Sequence, residues 1–531
     1  MQYIIMVVDG KSLKHRNFKL ISIWGITIIV LVLSLQFITK FSINQFIHEK
    51  IPSHIEFTYE KLDFNILTGN LCLSNVDLRI SDRDSTQIHT DLKADHVNLL
   101  DLGYSQFFFG NRIEADQLIV ENPRIHYLDS NIEKNSTGPK GVVNLLKEIR
   151  VEKIAITNGR FNFSKRKNDS LNFQVNNFNV TIVNGRTGPK TITERIPFKY
   201  DDYRITGGEI NMDMGGYETL TLQKIVLSKS EALLKNLTLK SKYSKKVLSQ
   251  IIQKEHDHIN LSIPEFHLQG IDIGVAEEEF YFNSEYGKIL RPNLNIHRDK
   301  SLPDNIVKKQ MYGTILKEIP MRIRVDSLFI KKGEVRYEEK LDDNTAAGSI
   351  LFDDLAFEMY NIANDYAVGE NTVVKITGKL SGTAPFTMDY RFDMNNDNDA
   401  FTLKASLFNL KGEKVNSFLR PNLNAQVLGE VNEMYFNVFG NDISARGDIK
   451  MKYENLEFEM LKKDGFSVNK IFSAIGNLFI NDGSKTDEDG YRYGKIDVER
   501  NPNKSFFNYT WIITQDGLIS VLTGDGEKVK N

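Results

Sequence analysis

The chain has 531 residues, of which 41% are hydrophobic, 10% aromatic and 26% charged, with a formal net charge of −3 at pH 7. That apolar content excludes a disordered tail, and the balanced charge with no basic stripe excludes nucleic acid as a partner. A single cysteine, Cys72, excludes any intramolecular disulfide, so stability has to come from burial and backbone pairing.

Residues 1–19 form a short basic segment in which Lys11, Lys14, Arg16 and Lys19 are opposed only by Asp9. Leu20 to Ile38 follows without a charged residue, bounded by Lys19 and Lys40. About 20 apolar residues at ~1.5 Å rise each cross the ~30 Å hydrocarbon core of a bilayer, so 20–38 reads as a transmembrane helix. Leu20, Trp24 and Ile38 mark this anchor. The flanking cations predict that the segment before it stays cytoplasmic and the rest of the chain lies outside. No small-x-small cleavage site follows, because Ser42 sits between Phe41 and Ile43, and the span is expected to remain as an uncleaved signal anchor.

Residues 45–460 read as one β-rich body. The dominant period is two, as in Ile55, Phe57 and Tyr59, then Leu62, Phe64 and Ile66, then Leu71 and Leu73, then Val76, Leu78 and Ile80. Such alternation predicts half-exposed antiparallel strands. Cys72 falls within it as a small half-buried strand residue. A local pattern recurs with identical spacing in Leu118, Val120, Pro123, Ile125, Tyr127, in Ile154, Ile156, Gly159, Phe161, Phe163, and in Leu328, Ile330, Gly333, Val335, Tyr337. Each copy reads as strand, tight turn at Gly or Pro, then strand. The last two follow short helical pieces at 145–149 and 315–319. Counted this way the body holds roughly 25 to 30 strands, which at ~4.8 Å spacing would make a long sheet. The predicted fold is mainly β: an N-terminal transmembrane helix, then an elongated, bent antiparallel sheet forming a groove, with a few short helices.

Residues 461–522 read as a helix-containing cap. One helix is expected at Val468–Phe479, where Val468, Ile471, Phe472, Ile475 and Phe479 share a stripe. A second is expected at Ser505–Leu522, with Phe507, Trp511, Leu518 and Leu522 as a candidate contact face toward the sheet, a membrane surface or a partner; Gly517 weakens it. Residues 523–531 read as a frayed tail.

No chemistry-bearing motif stands out. His256-Asp257-His258 lies in a polar stretch and reads as a solvated loop, and Asp393–Asp399 lacks the glycine and the bidentate glutamate of a calcium loop and reads as a hairpin turn. There is no His-Glu-x-x-His, nucleophile elbow, Walker loop or dinucleotide fingerprint. No catalytic, metal or cofactor-binding residue is expected, and the chain is not read as an enzyme. A pair of glycosidase carboxylates is set by the fold and not by spacing, so a glycan hydrolase stays open as a third reading.

The signal anchor followed by Tyr59-Glu-Lys-Leu-Asp-Phe-Asn-Ile-Leu-Thr-Gly-Asn-Leu71 and Leu73-Ser-Asn-Val-Asp-Leu78 resembles the opening of AsmA-like proteins. Ala94-Asp-His-Val-Asn-Leu99, Gly110-Asn-Arg-Ile-Glu-Ala115 and Leu118-Ile-Val-Glu-Asn-Pro-Arg-Ile125 continue the likeness, which is clearest over 20–130. A weaker likeness runs from Ile376 through Gly447-Asp-Ile-Lys-Met-Lys-Tyr453 to Trp511. The family is similar to bridge-like lipid transfer proteins. The resemblance implies an inner-membrane anchor, a periplasmic body in a Gram-negative envelope, a repeating β-groove, phospholipid as the bound partner and a role in outer-membrane homeostasis. It supplies no catalytic residues.

An acyl chain in water costs ~0.8 kcal/mol per methylene, on the order of 12 kcal/mol for 16 carbons, so a carrier has to shelter it. Candidate lining residues are Phe57, Phe64, Leu71, Leu73, Leu118, Val120, Ile154, Ile156, Phe161, Phe163, Leu328 and Ile330. Alternation does not separate a groove from a filled core. A structural or interaction scaffold for envelope proteins, with no lipid cargo, is therefore the competing reading.

Overall fold

The computed structural model describes residues 30, 32–34, 36–38, 40–41, 54–81, 87–104, 106, 110–129, 147–165, 170–194, 196–277, 279–342, 345–365, 370–461 and 486–524. Within these the chain is mainly β, with twenty-two strands and a few short helices, and it divides into two compact units at residues 207 and 208.

The first unit holds β1 (Ile55–Thr58), β2 (Lys61–Asn65), β3 (Asn70–Ser81), β4 (Ile88–Leu102), β5 (Arg112–Glu121), β6 (Arg124–Leu128), β7 (Glu148–Lys165) and β8 (Ser170–Thr187). β1 and β2 both pair antiparallel with β3, and β3 with β4. β4 pairs antiparallel with β5 and, further along, with β6. β5 and β6 both run parallel to β7, and β7 is antiparallel to β8. The expected purely antiparallel sheet is thus corrected to a mixed one. β5 and β6 act as one strand interrupted at Asn122-Pro123, where proline has no N–H to give the ladder.

The second unit repeats this arrangement. After β9 (Asp202–Asp213), which spans the division, come β10 (Glu218–Ser228), β11 (Glu231–Ser241), helix α1 (Lys245–Ile251), β12 (His258–Ala276), β13 (Glu279–Leu290), β14 (Asn293–Asp299), helix α2 (Tyr312–Lys317), β15 (Arg322–Lys340) and β16 (Gly348–Ala363). β12 pairs antiparallel with both β13 and β14, which both run parallel to β15, itself antiparallel to β16. The break between β13 and β14 falls at Arg291-Pro292, the counterpart of Asn122-Pro123. β17 (Thr372–Leu380), β18 (Ala384–Phe392), β19 (Phe401–Lys411), helix α3 (Asn416–Leu423), β20 (Ala425–Gly440), β21 (Ser444–Met460), β22 (Arg492–Glu499) and helix α4 (Phe506–Thr523) complete the unit as an antiparallel meander ending in a helix.

Two of the three strand–turn–strand copies are corrected by these pairings. Ile154 to Phe163 lies within the single strand β7, and Leu328 to Tyr337 within β15. Each bends at a left-handed residue, Asn158 (φ 53°) or Lys332 (φ 58°), beside Gly159 or Gly333, and the register with the neighbouring strand shifts there. The extra residue of a β-bulge moves the apolar phase by one, so Ile154 and Ile156 share a face with Phe161 and Phe163 although their sequence parity differs. Asn75 in β3, between Leu71/Leu73 and Val76/Leu78, and Asn177 in β8 are left-handed too, although the β3–β4 register runs unbroken past Asn75. Asparagine tolerates this conformation better than other side chains with a Cβ. Counting bent strands twice explains why the sequence suggested more than twenty-two.

Of the shorter expectations, 315–317 is helical within α2, whereas Glu148 and Ile149 open β7, and 145–146 lie outside the described residues. Cys72 is a half-buried residue of β3. Val468–Phe479, the segment 1–19, Leu20, Trp24 and 525–531 also lie outside the described residues. The described residues between 30 and 41 are helical, and Ile38 is 58% exposed there. Among the described residues no helix is long and apolar enough to cross a membrane.

Candidate functional site

The first unit aligns its apolar residues into rows that cross the strands. Phe64, Leu71, Leu99, Leu118, Ile154 and Ile182 are successive register partners through β2, β3, β4, β5, β7 and β8. Beside them run Leu62, Leu73, Val97, Val120, Ile156 and Val180. Across the bulge line a third row joins Phe57, Leu78, Leu92, Ile125, Phe161 and Val175. A fourth adds aromatics, with Tyr127 stacked on Phe163 at 6.0 Å between ring centroids and Phe161 edge-on to Phe173 at 6.1 Å. Directly opposed side chains on a sheet face touch, so these rows form one apolar surface.

The other face is polar. Asp77 pairs with Arg79 at 3.0 Å and Lys93 at 3.6 Å, and Asp95 with Arg124 at 3.0 Å. Along the bulge line Asn122 Nδ2 donates to Asp95 Oδ2 (2.9 Å) and Asn158 Nδ2 donates to Asn122 Oδ1 (2.7 Å). The Asn158 backbone N–H donates to Asn179 Oδ1 (2.9 Å). The bulge residues therefore hold one another across strands on the side away from the apolar rows.

Ten of the twelve candidate lining residues lie in this first unit, all in these four rows. Phe64 and Leu73 are buried, and Phe57, Leu71, Leu118, Val120, Ile154, Ile156, Phe161 and Phe163 are half-buried. Leu328 and Ile330 are half-buried in the second unit, in rows Gly287–Leu328–Met359–Val374–Tyr390 and Ile289–Ile330–Phe357–Ile376–Met388. Gly287, Ile289, Pro292, Leu294 and Ile296 form a fourth copy of the local pattern with the same spacing. This copy is hard to see in the sequence because glycine holds its first apolar position; Leu328 Cδ1 occupies the space that a Cβ on Gly287 would enter, 2.7 Å away.

The rows of the second unit end under α4. Ser505 caps this helix, its hydroxyl accepting from the Asn508 N–H at 3.3 Å. Tyr509, Ile513, Gly517 and Val521, four residues apart, are its buried stripe and pack with Phe401, Leu403, Val438, Ile449 and Ile496. The expected stripe of Phe507, Trp511, Leu518 and Leu522 is different: Phe507 is 70% and Trp511 39% exposed, and Leu518 and Leu522 pack only partly against the core. Gly517 lets the helix seat, since a Cβ there would lie 3.1 Å from Ile449 Cγ2, and Gly494 faces Val521 in the same way at 2.8 Å. Trp511 meets Phe418 of α3 edge-on at 6.1 Å.

Near the start of the first unit, the side chain of Gln36 donates to the Phe64 carbonyl at 3.1 Å. Gln36 and Lys40 border an open depression of about 400 Å³ with Phe64, Asn70, Leu71 and Cys72, where the first apolar row begins.

No family model matches the chain, and no curated protein matches its sequence.

The remaining polar motifs are held in local hydrogen-bond networks. His256 meets Glu218 at 2.5 Å, His258 Nε2 meets the Tyr243 carbonyl at 3.0 Å, and Asp257 accepts two hydrogen bonds from Arg298 at 2.7 Å. This stretch is a partly buried network and not the solvated loop its sequence suggested. Asp399, at the end of the Asn/Asp-rich hairpin, is buried and accepts from the Thr314 N–H (2.8 Å) and hydroxyl (2.5 Å) at the start of α2. Among the described residues no three His, Cys, Asp or Glu side chains converge as a metal site would require.

Proposed function

We propose that the chain is a membrane-anchored envelope protein whose apolar sheet face shelters the acyl chains of phospholipid, as the AsmA-like resemblance implies. The carrying observation is that four apolar rows cross up to six strands of the first unit while most of their members are only half-buried. Such contiguous apolar surface marks a ligand or partner site and not a finished core. The polar opposite face keeps the same strands wetted. The anchor at Leu20–Ile38 would hold this face beside a bilayer, with the body in the periplasm of a Gram-negative cell and the lipid serving outer-membrane homeostasis. The depression bordered by Gln36 and Lys40, at the start of the Phe64–Ile182 row, is where a lipid leaving that bilayer would first meet the sheet.

The test is native mass spectrometry of the full chain released from mild detergent, comparing wild type with Ile156→Asp and Phe161→Asp. Bound phospholipid in wild type that is lost in variants with unchanged circular dichroism is the expected result. A folded wild type free of lipid would transfer the rows to the scaffold reading, in which another protein covers them.

A further inference from the structure

We propose that Arg492 is an oxyanion site for the phosphate of a glycerophospholipid, placed where an apolar row of the second unit reaches the edge strand. The proposal rests on the lipid-sheltering reading and assigns it a headgroup contact. Leu407, Met434 and Met451 are successive register partners through β19, β20 and β21, and all are buried. The next partner, on β22, is Arg492. A leucine or methionine would continue the row, yet the position carries an arginine, and the residue is only 8% exposed.

Among the described residues the Arg492 side chain makes no ion pair and no hydrogen bond, and its buried Nε has no acceptor. Its one specific contact is the face of Tyr453, 4.1 Å below the guanidinium carbon. Stacking on a ring returns less than burial of an unpaired cation costs. The contrast with neighbouring arginines is direct: Arg500, equally buried, donates to the carbonyls of Asp442 and Lys309, and Arg298 is held by both oxygens of Asp257. Arg500 also lies over a ring, Tyr509 at 6.0 Å, so what sets Arg492 apart among these three is that no N–H of its side chain has an acceptor among the described residues.

A planar fork of N–H donors on an apolar floor matches two oxygens of a phosphate. The acyl chains attached to such a phosphate would find Val431 and Leu456 nearby on the same face, since Val431 is the register partner of Tyr453 and Leu456 packs on the same cluster. The last turn of α4 packs against Gly494, two residues along β22, and closes the other side.

Binding to the full chain in nonionic detergent would be measured with phosphatidylglycerol, with diacylglycerol of the same acyl chains, and with inorganic phosphate. Arg492→Met should weaken phosphatidylglycerol by about tenfold or more and leave diacylglycerol unchanged; Arg492→Lys, which keeps the charge without the fork, should fall between. Equal phosphatidylglycerol affinity in wild type and both variants, with unchanged melting, overturns the site and leaves Arg492 a packing residue. Should wild type retain neither lipid, the lipid-sheltering reading fails instead, and phosphate binding abolished by Arg492→Met would then reassign the site to free phosphate, overturning the headgroup assignment.

Discussion

The strands of the first unit and the last five strands of the second carry the same alternating pattern and the same row-by-row register, but they end in different states. In β18–β22 the rows lie under α4, and Leu403, Leu407, Met434, Val438, Ile449, Met451 and Ile496 are all buried. In β4–β8 the equivalent positions Leu99, Leu118, Ile154, Ile182, Val97, Val120, Ile156 and Val180 are all half-exposed. Alternation therefore specifies which face of a sheet is apolar, while a separate element decides whether that face becomes a core. Where α4 packs on the rows they are buried as core, and in the first unit the corresponding positions stay only half-buried.

The largest expected effect separates the two regions by truncation. Ile513→Ala removes a side chain only 2% exposed from the α4 interface and should cost about 2–5 kcal/mol in chemical denaturation. Ile154→Ala, in a half-buried row, should cost about 1–2 kcal/mol on area grounds. Equal losses would mean that the first-unit rows are core after all.

Next comes the seat of the helix itself. Gly517→Val places carbon into Ile449 and Ile496 and should destabilise by about 1–3 kcal/mol, read as a lower melting temperature with dye binding to the uncovered rows. An unchanged melting temperature would show that α4 contributes little to closing this end.

The bulge line is the third target. Asn158→Ala forces alanine into a left-handed conformation, costing roughly 1–2 kcal/mol, whereas Asn158→Gly should cost less. If the alanine variant is as stable as wild type, the bulge is not what keeps Ile156 and Phe161 on one face.

The smallest effect is a pH dependence confined to the second unit. His297 faces Lys245 from α1, Glu338 from β15 and Asp299 on its own strand; burial is the leading cause that holds its pKa below the ordinary 6.5, with Lys245 acting in the same direction. Because the folded value is depressed, the unfolded chain binds the proton first as pH falls. The stabilisation is complete above about 6.5 and is lost as pH drops through the lower folded value. Glu338 and Asp299, both held below the usual carboxylate range, extend the loss to more acid pH. Melting curves between pH 7 and 5 should show this slope in wild type and a shallower one in His297→Gln; identical slopes would remove His297 from the account.

Much of this molecule could be read from local pattern. The period of two located the strands because side chains on a pleated sheet must alternate, and the largely apolar run between Ser505 and Leu522 located α4 because a run of that length suits a helix. The recurrence around Pro123, Gly159 and Gly333 was visible because each site demands a backbone that ordinary residues avoid. What those residues did there was not visible: a bulge inside a continuous strand and a turn between two strands ask for the same residue types. Similarly Gly517, which weakens a helix in isolation, was misread because its value lies in Ile449 and Ile496, more than twenty residues away in sequence.

By itself, then, the sequence determined that the chain is mainly β, which side chains share a face, and where the last helix begins, since these follow from spacing along one strand or one turn. Only the tertiary structure decided that β5 and β6 run parallel to β7, that α4 turns one stretch of apolar rows into core, and that Arg492 ends such a row without a counter-charge. Pairing direction, coverage and the missing partner of a buried cation are properties of segments meeting across long stretches of chain, and spacing along the chain carries no record of them.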